Sequence, residues 1–124
     1  MAQMQVELVA PDRYVWSGAA TLVVAKTMDG DLGILPGHTP LLGVLVNGRV
    51  EIHPVDGDTV VVAVLGGFLA VADDKVSVLA ETAEFADEIS ASDAEQSLRE
   101  AESAGDADKA SRARARISVA SGAR

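Results

Sequence analysis

The chain contains no cysteine, so neither a disulfide framework nor a thiolate metal site is available to it, which fits a reducing compartment. No apolar run reaches the roughly eighteen residues that a membrane span requires, and Met1 to Gln5 holds no basic residue leading into an apolar stretch. These absences predict a protein that is cytosolic or that sits on a membrane only through partners, without inserting into it. Positive charge is scarce as well: 10 Lys and Arg stand against 19 Asp and Glu, a net of −9. The deficit is local. Residues 1–88 hold 13 acids and 4 bases, while residues 89–124 hold 6 of each. A surface of that sign repels phosphate backbones, so no nucleic acid is expected as a partner. The one concentrated positive patch is Lys109, Arg112, Arg114 and Arg116.

A length of 124 residues suits one main core with a short appendage. Over residues 1–88 the pattern is that of short strands cut by turns. Met4, Val6 and Leu8 alternate with Gln5 and Glu7, and Val50 and Ile52 alternate with Arg49, Glu51 and His53, giving each strand one dry and one wet face. Val60 to Leu65 is apolar without alternation, as in a strand covered on both sides. Asn47-Gly48 and Asp56-Gly57 carry the turn chemistry of hairpins, and Gly66-Gly67 and Asp73-Asp74 punctuate the following runs. This spacing predicts an antiparallel meander folded into a β-sandwich or flattened barrel.

From Ser90 onward the period becomes helical. Ser92 and Glu95 have the spacing of a capping box, and Ala91, Ala94, Leu98 and Ala101 follow as a stripe. Gly105 stops that helix, Asp106 caps the next, and Ala110, Ala113, Ile117 and Ala120 repeat the stripe, so an αα-hairpin is expected. The fold class is therefore mainly β with α: a β-sandwich domain over 1–88 and a helical hairpin domain over 89–124. Residues 90–124 contain ten alanines and only Leu98, Ile117 and Val119 as large apolar side chains. Docking of the hairpin on the sandwich is expected to be marginal, which leaves two readings, a solubilising tail and a mobile arm.

Candidate chemistry is sparse. The stretch GDLGILPGHTPLL, residues 30–42, sets one acid and one imidazole among two prolines and bare aliphatic side chains. Asp31 and His38 supply a carboxylate and a base, but no serine or cysteine nucleophile lies in a recognisable elbow. Enzyme chemistry is not expected, and neither is a cofactor. His38 and His53 are too isolated for a metal site, and His53 falls on the polar face of its strand. Tyr14 and Trp16 share a face and are expected to cover the core edge. Lys109, Arg112 and Arg116 lie at steps of three and four, either as a solvated helix face or as one surface toward an acidic partner.

Three strings carry a resemblance: GDLGILPGHTPLL, then LGGFLAV at 65–71, then VSVLAETAE at 76–84, followed by an alanine-rich helical pair. Together with VWSG at 15–18 they resemble the epsilon subunit of the F-type proton-translocating ATP synthase, and the short helical part is similar to actinobacterial members. The resemblance implies a non-catalytic rotor part on the cytoplasmic side of the cell membrane. It implies a sandwich that binds the gamma subunit and rests on the c ring, and a hairpin that folds back or rises toward the catalytic alpha and beta subunits to restrain hydrolysis. By resemblance, Asp31 with Gly30, Leu32 and Gly33 takes the c-ring contact, and His38 with Leu41 and Leu42 the gamma contact. Arg112, Arg114 and Arg116 are expected to face the catalytic head.

One departure bears on nucleotide binding. Family members that hold ATP on the hairpin start it with an apolar residue, Asp, two variable positions, Arg and Ala. ISASDA at 89–94 puts Ser90 in place of the Asp and Asp93 in place of the Arg. A carboxylate does not hold phosphate as a guanidinium does, so nucleotide binding is not carried over. The alternative reading is a free-standing β-sandwich binding module with a helical dimerisation tail.

Overall fold

A computed structural model describes residues 2–120 of the chain. The alternation of the first residues becomes strand β1 (Met4–Ala10), whose Met4, Val6, Leu8 and Ala10 are buried while Gln5 and Glu7 face outward. It runs antiparallel to β2 (Arg13–Thr27), from Met4↔Ala20 to Ala10↔Arg13 with a bulge at Leu8/Val9. At 15 residues β2 outruns its partner, and its second half turns to pair with β3 (Gly30–Ile34) on one side and β5 (Gly48–Pro54) on the other. It thereby belongs to both layers of a sandwich. One layer is the start of β2 with β1, β8 (Lys75–Ala80), β7 (Gly67–Ala72) and β4 (Leu41–Leu45); the other is β3, the end of β2, β5, β6 (Val60–Val64) and β9 (Ala83–Phe85). Met4, Leu8, Val23, Ile34, Ile52, Val62, Leu69 and Val78 fill the space between them.

The pairing is antiparallel throughout these nine strands except between β1 and β8, which run parallel from Gln5↔Lys75 to Val9↔Leu79. A parallel pair needs a long crossover, and here the crossover is most of the sandwich itself, so the chain is not a simple meander. Asn47-Gly48 is accordingly no hairpin turn. β4 pairs with β7 and β5 with β2 and β6, so the chain crosses between layers at 46–47. The side chain of Lys26 lies 3.1 Å from where a Cβ on Gly48 would stand, so close packing accounts for the glycine. Asp56-Gly57 does sit in a hairpin loop, joining β5 to β6. Asp73 and Asp74 both have positive φ, 50° and 58°, and make the two-residue turn between β7 and β8, a conformation Asp tolerates better than most residues. Gly67 turns the chain from one layer to the other at φ 135°, with the Leu79 carbonyl where a Cβ would go.

After β9 a single 3-10 turn, Ala86–Glu88, leads into helix α1 (Ala91–Ala104). The cap is Ser90, not Ser92: Ser90 is extended and its Oγ accepts the Asp93 N–H at 3.3 Å, so the helix begins one turn-fraction earlier than the Ser92–Glu95 spacing predicts. Gly105 closes α1 in the left-handed conformation, and Asp106 Oδ1 accepts the Lys109 N–H at 3.0 Å to open α2 (Ala107–Ala120). Ala94 and Ala101 of α1 and Ala110 and Ala113 of α2 are buried as the stripes predict, but Ala91 is exposed, Leu98, Ile117 and Ala120 are half-buried, and α2 buries Ala115 and Val119 instead. Helix α2 lies on β5, β6 and β9, whereas α1 packs chiefly on α2. Ala63 is buried outside the inter-sheet core, on the α2 side of β6, which explains the unbroken apolar run at Val60 to Leu65. The last four residues of the expected hairpin, 121–124, lie outside the described residues.

Candidate interaction surfaces

GDLGILPGHTPLL is three different things in space. Gly30 to Gly33 belongs to strand β3, hydrogen-bonded to β2 with Asp31 opposite Lys26. Its turn is built by Thr27, whose Oγ1 donates to the Gly30 carbonyl at 2.9 Å and accepts the Asp29 N–H at 3.2 Å. Met28, Asp29, Gly30 and Asp31 are exposed at the tip, Met28 to 71%, while Leu32 packs on the core. The loop proper is 35–40. Gly37 donates its N–H to Asp74 Oδ1 at 2.6 Å, and the His38 N–H goes to the Leu35 carbonyl at 3.1 Å. Two prolines and these bonds hold the loop against the β7–β8 turn. His38 Nδ1–H donates to the Thr39 carbonyl at 2.6 Å, so the imidazole is spent locally and no hydrogen bond joins it to Asp31. Leu41 packs on the core and Leu42 projects at 77% exposure.

Leu42 is not alone. Val44 on β4 lies opposite Phe68 on β7, Phe68 opposite Leu79 on β8, and Leu79 beside Val9 on β1, whose β2 partner is Tyr14. Leu42, Val44, Phe68, Leu79 and Tyr14 are all exposed large apolar side chains. Strand register thus assembles a continuous apolar band across the outer face of the first layer, a type of patch that marks an interaction site. Tyr14, expected to cover the core edge, instead stands at 75% exposure. Trp16 does pack on the core, with its ring over Gly18. Val44, Phe68 and Leu79 escape a reading of local motifs because the band exists only after three strands are placed side by side. The signal in the sequence is the lack of polar residues on the outward positions of LGGFLAV.

The second surface is the seat of the hairpin. Arg116 Nε donates to Glu84 Oε1 at 2.7 Å, and Arg112 reaches Glu81 at 3.8 Å and Asp108 of its own helix at 3.0 Å. Arg114 turns the other way, to Glu102 of α1 at 3.7 Å. Asn47 Nδ2 donates to Asp108 Oδ1 and Ser111 Oγ, and Arg49 to the Ser118 carbonyl. The three arginines are therefore divided, two toward the sandwich and one within the hairpin. Ahead of the hairpin, Arg13 donates to both oxygens of Glu88 at 2.8 and 2.7 Å and to the Ala83 carbonyl at 2.9 Å, its guanidinium 5.9 Å from the Phe85 ring centre. The Arg13 hydrogen bond, with a second from the Phe85 N–H, holds the Glu88 carboxyl down to about 2, and the same pairing raises the Arg13 pKa. His53 lies 3.6 Å from Glu51 on the outward side of β5. Among the described residues no cluster of three or more His, Asp or Glu is arranged to hold a metal ion, and no helix is long and apolar enough to cross a membrane.

The sequence pattern of the family described as ATP synthase, Delta/Epsilon chain, beta-sandwich domain matches residues 3–86. The ATP synthase epsilon chain of Streptomyces avermitilis is 58% identical over 120 residues, 97% of each chain. The chain belongs to the ATP synthase epsilon family. Another epsilon chain, from Corynebacterium diphtheriae, is 52% identical over 100 residues, covering 80% of this chain and 81% of that one. Epsilon chains are non-catalytic stalk subunits, in keeping with a site made of contact surfaces rather than a reactive constellation. The epsilon fold also recurs in a cryo-EM structure of the Euglena gracilis mitochondrial ATP synthase, OSCP/F1/c-ring, with a TM-score of 0.77, 24% identity and coverage of 97% of this chain and 77% of that one.

Proposed function

We propose that the chain joins the turning parts of an ATP synthase at the cytoplasmic side of the cell membrane, held there by its partners. The end of the sandwich that carries Gly30, Asp31, Leu32 and Gly33 meets the c ring. Asp31 supplies the charge, and Leu32, leaning on the core, fixes the strand beneath it. His38, Leu41 and Leu42 meet the gamma subunit, and the apolar band through Val44, Phe68 and Leu79 extends that contact. Arg112, Arg114 and Arg116 engage an acidic surface of the catalytic alpha and beta subunits when the hairpin, residues 89–124, stands away from the sandwich.

The observation that carries this reading is the band, because a monomer gains nothing from Leu42, Phe68 and Leu79 in water. A few large side chains at the centre of a contact carry most of its energy. Titrating the full chain with purified gamma subunit tests it. Leu42→Asp and Phe68→Asp are each expected to weaken binding by about tenfold or more, and His38→Ala by less. Unchanged affinity in both aspartate variants removes gamma from this face.

A further inference from the structure

Among the described residues, Arg116 with Glu84 is both the shortest and the best shielded of the ion pairs that the hairpin makes, at 2.7 Å with side chains 33% and 25% exposed. The others are 3.5 to 3.8 Å long, or lie within α2, and reach further into solvent. Glu84 sits on β9 opposite Ala63, a short edge strand of three residues. The segment after β9 is tied down. The bidentate bond from Arg13 to Glu88 and the Arg13 bond to the Ala83 carbonyl fasten 83–88 to the start of β2, and the Phe85 N–H bond to Glu88 closes the turn within that segment. Beyond Glu88 only Ile89 and Ser90 precede α1, and α1 leans on α2 rather than on the sandwich. The chain thus passes from a clamped segment to a helix with few ties of its own within two residues.

We propose that Glu84 is an intramolecular competitor for the arginines of the hairpin. It holds Arg116 when the hairpin is docked, and the hairpin leaves it by pivoting at Ile89–Ser90 behind the Arg13–Glu88 clamp. Arg116 cannot face Glu84 and an external acid at once, so docking and outward contact exclude one another at this residue. Arg114 is exempt, because its partner Glu102 travels with it. Departure does not strand Glu84 in a dry site, since a quarter of its side chain already meets solvent with Arg116 in place. The seat is therefore tolerable empty, as a reversible latch requires. Its outward effect rests on the proposed contact of the arginines with the catalytic head.

The latch predicts two substitutions that agree in their effect on docking and part in their effect on hydrolysis. Glu84→Gln removes the competitor and leaves the hairpin intact, whereas Arg116→Gln removes the shared group. Because the chain has no cysteine, Asp58→Cys and Ser103→Cys allow paired labels that report docking in the full-length protein. Both Glu84→Gln and Arg116→Gln are expected to shift the docked population about two- to fivefold toward undocked, the range of a partly exposed ion pair. In the assembled complex, Glu84→Gln is expected to lower ATP hydrolysis and Arg116→Gln is not. An unchanged docked population in Glu84→Gln overturns the latch. Loss of docking with unaltered hydrolysis keeps the latch and overturns the contact with the head. The pivot is read separately by hydrogen exchange. In Glu84→Gln the amides of 83–88 are expected to stay protected while those of α1 and α2 open, and adding Arg13→Gln is expected to release 83–88 as well. Opening of 83–88 in Glu84→Gln alone overturns the pivot.

Discussion

Glu88 is exposed by more than a third of its side chain, yet three hydrogen bonds converge on it. Its carboxyl titrates near 2 in the fold, below the value of about 4.5 of a free group, so it stabilises the native state above the unfolded value. That contribution is lost as the pH falls from about 4.5 toward 2. Arg13→Gln removes the larger part of it and leaves the Phe85 N–H bond, so the melting temperatures of the two proteins are expected to differ by a few degrees at most near pH 7, given solvent screening. The curves are expected to converge toward pH 2; a constant gap across that range assigns the loss to packing instead. Gly67 acts through shape. With φ at 135° and a carbonyl where a Cβ would stand, Gly67→Ala is expected to cost about 2 kcal/mol or more, measured by denaturant unfolding.

At the scale of elements, β1, β5 and both helices follow from periodicity, because burial on one side imposes a period that the sequence must display. Connections follow less well. Asn47-Gly48 has hairpin chemistry but serves a crossing between layers, since the partner of a strand is decided by the whole sheet rather than by the dipeptide. Ser92 and Ser90 both qualify as caps, and the 3-10 turn that delivers Ser90 in extended conformation decides between them. The resemblance marked Leu42, while its neighbours Val44, Phe68 and Leu79 emerged only with register. Helix α2 rests on alanines, so its seat has no room for bulk. Ala113→Leu is expected to overpack it by about 1 to 3 kcal/mol, raising exchange in α1 and α2 while β1 to β8 keep their protection. Equal loss of protection in sandwich and hairpin contradicts the separateness of the two.

The whole molecule places its surfaces apart: a tip at 28–31, an apolar band across one layer and a hairpin over the other. Each is expected to be separable. Asp31→Arg is expected to lower proton-coupled ATP synthesis in membrane vesicles with the fold intact, and unchanged coupling removes Asp31 from the c-ring contact. Deleting residues 109–124 is expected to raise ATP hydrolysis by the assembled enzyme, by less at high salt because the ion pairs are exposed. An unaltered rate across ionic strengths leaves the hairpin without a restraining role.

Strand β2 gives this arrangement a mechanical property. Its fifteen extended residues have a contour of about 50 Å and bend from one layer into the other between the corner held by Arg13 and the turn at Met28. A sideways push delivered at that turn runs along one unbroken backbone into both layers, and hydrogen bonds on each side keep it from buckling. Sliding one layer over the other would require bending this common spar. The two layers are therefore coupled against shear by one shared strand, whereas the hairpin is joined to them through the two residues in front of α1.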